Sequence, residues 1–227
     1  MNDSILIQQC WSTNQTIYSP TVFSEMQRLT YQRHAAYARA FKMDYWNILG
    51  DIHVEMKPGG WSKIWLMKWA LEMGYEFIAW IDSDAAVVNG NIDLRTVFEK
   101  GGDPTSGLIG AVLHDAPWFE KNGMGPHYNV GVLYVKAGDL VKEFMDDWIS
   151  RFPGEPRWVE QGSFNKMVAE DKYKPLFVEV PAKWNSTVNV NLVPDAVVMG
   201  WHGVYPEAKR LEMMKTTFKD DFLKFRV

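Results

Sequence analysis

Asp82-Ser83-Asp84, two carboxylates separated by one small residue, are the side chains here best suited to chemistry. They follow at once on Phe77-Ile-Ala-Trp-Ile81, an apolar run rich in β-formers that reads as a strand buried on both faces. In an open α/β sheet the carboxyl end of such a strand faces the ligand crevice. Two carboxylates in an extended turn can reach one ligand. Hard oxygen donors of this kind suit Mg²⁺ or Mn²⁺, above all an ion that also holds the oxygens of a diphosphate. Asp-x-Asp alone equally fits a turn cap beside a solvated side chain; the strand feeding it is what favours a metal.

Further polar residues sit where strands are expected to end. His202 closes the apolar run Ala196-Val-Val-Met-Gly-Trp201, and an imidazole with two carboxylates is a donor set for Mn²⁺, although a single histidine in such a run also serves as a satisfied core residue. Gly203 beside it permits close approach of backbone to a phosphate. Asn129, next to Gly131, is either a turn residue or a hold on a sugar hydroxyl. Glu160-Gln161 opens a helix, where a carboxylate is favourable against the positive dipole end, or else projects onto a sugar. Lys63 lies near the start of an otherwise apolar helix and points either to solvent or towards the site.

The elements that must position these residues alternate. Ile5–Trp11 reads as a first strand, 21–43 as an amphipathic helix, and Asp44–Leu49 as a second strand, which together make a right-handed parallel crossover. Trp61–Met73 reads as a buried helix stopped at Gly74, with the central strand 77–81 after it. A short strand is expected at 85–89, a short helix at 94–100 and a strand at 107–113. Residues 114–127, with their glycines, prolines and aromatics, read as a lid over a cleft. Then come a strand at 128–135, helices at 139–152 and 162–169, and a return to the sheet through 177–180 and 184–185. The strand ending at His202 follows, and a basic, partly helical tail from Lys209 to Val227 completes the chain.

Composition sets the frame. At 227 residues and 47% hydrophobic content, one α/β domain spanning 1–227 is expected, because no Pro/Gly/Ser-rich linker or charge block divides it. A net charge of -4 gives no basic face for nucleic acid. One cysteine forms no internal disulfide and leans towards a reducing compartment. Neither a signal peptide nor a membrane span is legible, so the expectation is a cytoplasmic or otherwise soluble protein. Eleven tryptophans and nine tyrosines leave aromatics to line a cleft as well as a core.

The order Trp61-x-Lys63-Ile64, Trp80-Ile-Asp82-Ser-Asp84-Ala, Asn129-x-Gly131, Glu160-Gln161, Asn185-Ser and His202 resembles the GT-A glycosyltransferases. It looks like the family of fungal Golgi α-galactosyl- and mannosyltransferases and plant xyloglucan xylosyltransferases, and in size it is similar to small soluble bacterial and viral enzymes. The likeness runs over roughly residues 5–205. It implies a Rossmann-like α/β fold with a mainly parallel central sheet flanked by helices. It also implies a UDP-sugar donor, a glycan or glycoprotein acceptor, and Mn²⁺ (or Mg²⁺) on Asp84 and His202 with Asp82 nearby. Ser83, Lys63 and Gly203 would border the nucleotide. Asn129, Glu160 and Gln161 would face the donor sugar or acceptor. The family's Gly-Cys and basic residue after the histidine is not reproduced; Lys209 or Arg210 would take the diphosphate contact. Retention at C1 is the family's habit, and an inverting reaction would need a base such as Glu160 or Asp115. The alternatives are a sugar-phosphate nucleotidyltransferase, which lacks its Gly-rich N-terminal loop here, and a carbohydrate-binding module.

Overall fold

The computed structural model describes residues 2–10, 20–49, 59–100, 103–104, 107–115, 125–154 and 159–219. β1 (Ser4–Cys10), α1 (Pro20–Ala40) and β2 (Asp44–Leu49) form the expected parallel crossover. α1 stops short of the expected residue 43 because Lys42 takes a left-handed φ of 53°, which no helix continues through. A 3₁₀ turn over Gly59–Trp61 leads into α2 (Ser62–Glu72), and Gly74 ends that unit at φ 92°. β3 (Phe77–Asp82) then pairs with β1 on the side away from β2, and β4 (Ala85–Val87) follows after a two-residue turn.

The helix expected at 94–100 is instead a 3₁₀ turn, Leu94–Phe98, where the Asp93 carboxylate accepts from the Arg95 N–H. Glu99 leaves it extended, so Glu99–Lys100 (β5) pairs with Asp103–Pro104 (β6). β7 (Ile109–His114) and β8 (His127–Lys136) are joined by the segment expected to be a lid. His114 and His127 stand opposite each other at its two ends, and residues 116–124 lie outside the described residues. α3 (Asp139–Ser150), α4 (Val159–Met167), β9 (Phe177–Glu179), β10 (Ser186–Thr187), β11 (Val198–Gly200) and α5 (Glu207–Lys219) complete the description.

The main sheet runs β2-β1-β3-β8-β7-β9. Its β1 pairs and the β7–β9 pair are parallel, while β8 runs antiparallel to both neighbours. That reversal brings the start of β8 to the end of β3. The runs 184–185 and 196–203 were expected to rejoin this sheet and do not. Residues 182–185 form a 3₁₀ turn, and β10, β11 and β4 make a separate small sheet in which β11 is antiparallel to β4.

Strand parity divides the core. Ile5, Ile7, Ile78 and Trp80 face α2, α3 and α4 in one apolar cluster. Leu6, Phe77, Ala79 and Ile81 face the other way, against Tyr37 and Ala38 of α1. A third cluster under the small sheet joins Met26 of α1 to Trp201 and to Leu211, Met214 and Phe218 of α5. Among the described residues no helix is long and apolar enough to cross a membrane.

Candidate active site

Parity also decides which way the two aspartates look. Asp82 shares the face of Trp80, the side of α2, and its carboxylate is met there by Lys63 at 3.2 Å and by the Trp80 indole N–H at 2.7 Å. Lys63 projects from the first turn of α2 and is only 1% exposed. Its ammonium also donates to the Val130 carbonyl at 3.2 Å and lies 3.5 Å from Glu160. Glu160, at the start of α4, reaches it because Gly60 has no side chain; a Cβ at Gly60 would lie 2.3 Å from the Glu160 carboxylate. Burial pulls the Lys63 ammonium down, but Asp82 and Glu160 outweigh it and hold the charge in place. Burial pushes the Asp82 and Glu160 carboxyls up, against the opposing pull of Lys63.

Asp84, the second residue of the turn between β3 and β4, faces the small sheet. Gly200 of β11 pairs with Ala85, and the Trp201 N–H donates to the Asp84 carbonyl at 2.9 Å, so His202 arrives beside the Asp84 side chain. This antiparallel register of β11 against β4 is what brings the two together. His202 Nδ1 lies 3.0 Å from Asp84 Oδ1, and Arg210 Nη1 lies 2.5 Å from Oδ2. Burial alone would raise the Asp84 carboxyl; His202 and Arg210 outweigh it and keep it ionised well below the ordinary carboxylate range.

The imidazole of His202 sits in a cradle made by two glycines. A Cβ at Gly131 would come within 2.5 Å of its Cε1, and one at Gly200 within 2.6 Å of its Nε2. That Nε2 is buried without a hydrogen-bond partner among the described residues. Asn129 Oδ1 accepts from the Gly131 N–H at 2.9 Å and from Asn185 Nδ2 at 3.0 Å, which fixes the amide next to this cradle. Gln161 has a backbone task, accepting from the Val130 N–H at 3.1 Å. Asn165, one turn on, brackets Tyr128 through both its N–H and its carbonyl.

A cleft of about 140 Å³ opens over this arrangement, lined by Gln9, Phe23, Asp82, Ser83, Asp84, His202, Gly203, Tyr205 and Arg210. Gly203 stands at its edge with φ 73°. The structure thus gathers Lys63, Asp82, Glu160, Asp84, His202, Ser83, Gly203 and Asn129 around the end of β3. Lys209 is exposed on α5, and it is its neighbour Arg210 that turns inward. Asp115, the other base candidate, is exposed beyond β7. Gln9, Phe23 and Tyr205 were not singled out from the sequence. Gln9, the last but one residue of β1, stands in register with Asp82.

The donor chemistry suits a divalent ion only in part. Asp84 and His202 are the donor types that fit, through the carboxylate and Nδ1 that face each other; the unpartnered Nε2 lies on the far side of the ring, against Gly131 and Gly200. Asp82 is turned to Lys63, and among the described residues no three His, Cys, Asp or Glu side chains are grouped to hold a metal.

No protein-family model matches the chain, and no curated protein matches its sequence. Solved structures do match, several of them described as glycosyltransferases, and the chain has their GT-A-like fold. A glycosyltransferase involved in glycosylating the major capsid of PBCV-1 has a TM-score of 0.64 and 22% identity, over 93% of this chain and 98% of that one. The glycosyltransferase GlyE of Streptococcus pneumoniae gives 0.52 and 12%, over 96% of this chain and 63% of its own. Mouse xyloside xylosyltransferase 1 gives 0.50 and 12%, over 88% and 98%.

Proposed function

We propose that this chain is a glycosyltransferase, a single domain that moves a sugar from a nucleotide-sugar donor, a UDP-sugar, to a hydroxyl of a glycan or glycoprotein acceptor. One observation carries the reading: the Asp84–His202 pair, its Nε2 buried and unpartnered, in the wall of a cleft at the carboxyl end of β3. A buried imidazole nitrogen without a partner is costly unless a ligand completes it. Asp84 and His202 would hold a divalent ion, Mn²⁺ or Mg²⁺, with Asp82 close by. When bound, such an ion supplies positive charge to the departing diphosphate.

The chain's own residues do the rest. Arg210 and the backbone at Gly203 border the diphosphate. Lys63 stays protonated between Asp82 and Glu160 and holds Asp82 in the lining of the cleft. Asn129, its oxygen engaged by Gly131 and Asn185, is left with its amide N–H groups for a sugar hydroxyl. With Glu160 held against Lys63 and Asp115 exposed away from the cluster, neither is placed as a free base, which favours retention at C1.

The test is UDP release from a panel of UDP-sugars with and without Mn²⁺, in the presence and absence of glycan acceptors. Metal-stimulated release from at least one donor is expected. Binding of sugars without UDP release from any donor would sink the proposal.

A further inference from the structure

Both oxygens of Asp84 are already taken within the protein. His202 Nδ1 holds Oδ1 and Arg210 Nη1 holds Oδ2. The arginine is no surface side chain reaching in: it is 4% exposed, its Nε donates to the Val204 carbonyl at 3.2 Å, and its guanidinium lies between the Phe23 and Tyr205 rings at 5.7 and 5.5 Å. It also lines the cleft, so an anion entering there meets the same guanidinium. A guanidinium binds carboxylate and phosphate oxygens by the same planar geometry.

From this we infer that Arg210 is a built-in counter-ion that competes with the divalent metal for Asp84 and gives it up only when a diphosphate draws the guanidinium away. The inference rests on the sugar-transfer reading for the identity of the diphosphate, and on the Asp84–Arg210 contact for the competition. It makes metal and nucleotide bind as a coupled pair, because each removes an obstacle to the other, and such coupling is reciprocal. It also keeps the carboxylate from holding a metal when no donor is present. A cleft whose cations were all at the rim would show no such exchange; here the cation and the carboxylate are both buried and in contact.

The experiment measures Mn²⁺ binding directly, by the loss of the free-ion paramagnetic resonance signal, with and without UDP, and corrected for Mn²⁺–UDP in solution. It uses the full chain, Arg210→Gln, and Arg210→Met, which keeps an unbranched apolar stem between Phe23 and Tyr205. Melting curves select the variants that fold. In the unaltered protein UDP should tighten Mn²⁺ about tenfold or more. In either folded variant Mn²⁺ alone should bind about tenfold tighter than to the unaltered protein, and UDP should add about threefold at most. Equal Mn²⁺ affinity in the absence of UDP across the three proteins overturns the competition, as does an absence of coupling in the unaltered protein that does bind both ligands. If none of the proteins binds UDP while the variants still gain Mn²⁺ affinity, the competition stands and the sugar-transfer reading falls.

Discussion

Two imidazoles meet the segment that follows β3, the partly exposed His202 at Asp84 and the fully buried His34 at Val87. Around His34 every polar contact closes on another. Its Nδ1 donates to Gln8 Oε1 at 3.0 Å and its Nε2 accepts the Val87 N–H at 3.1 Å, which fixes the neutral tautomer. Gln8 passes the chain on, donating to Thr30 at 2.8 Å and accepting from the Tyr45 hydroxyl at 3.0 Å. The result ties α1, β1, β2 and β4 together. Around His202 the account is left open: Nδ1 is engaged, Nε2 is not, and two glycines keep space for the ring instead of filling it. Closed networks are how a fold holds itself, whereas an open one at the wall of a cleft is costly to the fold alone and has use only with a ligand.

Breaking the closed network should have the largest effect on the fold. His34→Ala leaves the Val87 N–H without an acceptor and a hole beneath β4, so unfolding in urea should become easier by about 3 kcal/mol, with the unfolding slope unchanged. A loss of less than about 1 kcal/mol would mean that the network is incidental to stability.

Acid should do the same more gradually. Burial, with Arg33 adding to it, lowers the His34 pKa to about 3, whereas the unfolded chain titrates near 6.5. Between those values the unfolded state binds the proton and the folded state does not, so stability is complete above 6.5 and is lost as pH falls towards 3. The slope is about 1.4 kcal/mol per pH unit for this one group. His114, lowered to about 2 by burial first and by His202 and His127 after it, adds a second contribution of the same sign. Asp82 and Glu160, with raised carboxyls, oppose both at lower pH. The difference between the unaltered protein and His34→Gln cancels these common groups. It should narrow by about 1.4 kcal/mol for each unit below 6.5, and a constant difference would show that His34 takes up its proton in the folded state as easily as in the unfolded one.

How far this contrast was legible in the sequence depended on range. β2, β3 and α2 could be read because their apolar runs are local and bounded by glycine or carboxylate. The direction of β8 could not, since a largely apolar run looks the same both ways, and with it went the reason why Asn129 and Val130 sit beside β3. The small sheet has strands of two and three residues, too short for any periodicity, yet its register is what sets His202 against Asp84. Arg210 was closer to view. Once α5 is placed from Glu207, residues 210, 211, 214 and 218 form its buried stripe and Lys209 falls outside it. The short helix expected after Asn89 failed because Asp93 caps a 3₁₀ turn as readily as an α-helix.

Filling the space kept for His202 sharpens the comparison from the other side. Gly131→Ala would set a methyl group 2.5 Å from the imidazole, so the ring must move while the surrounding strand stays paired. The expected cost in unfolding free energy is about 1 kcal/mol, with a fall of tenfold or more in Mn²⁺-dependent UDP binding by calorimetry. A large loss of stability with binding intact would show that the glycine serves the strand and not the histidine.

His202→Ala should have the smallest effect of all on the fold, and for a definite reason. Removing the ring forfeits packing and the contact to Asp84 Oδ1, but it also removes a buried nitrogen that had no partner, and Arg210 remains on Oδ2. The two changes offset each other to within about 0.5 kcal/mol of unfolding free energy, against the loss several times larger expected for His34. Binding should tell the opposite story, with Mn²⁺-dependent UDP affinity falling about tenfold or more, roughly 1.4 kcal/mol. Asp84→Asn should lower that affinity as well, and the double variant should lose less than the sum, because both side chains would act on one ion. Were His202→Ala to unfold as readily as His34→Ala and keep its affinity for UDP and Mn²⁺, the two histidines would be of one kind, and the open nitrogen would have no bearing on the cleft.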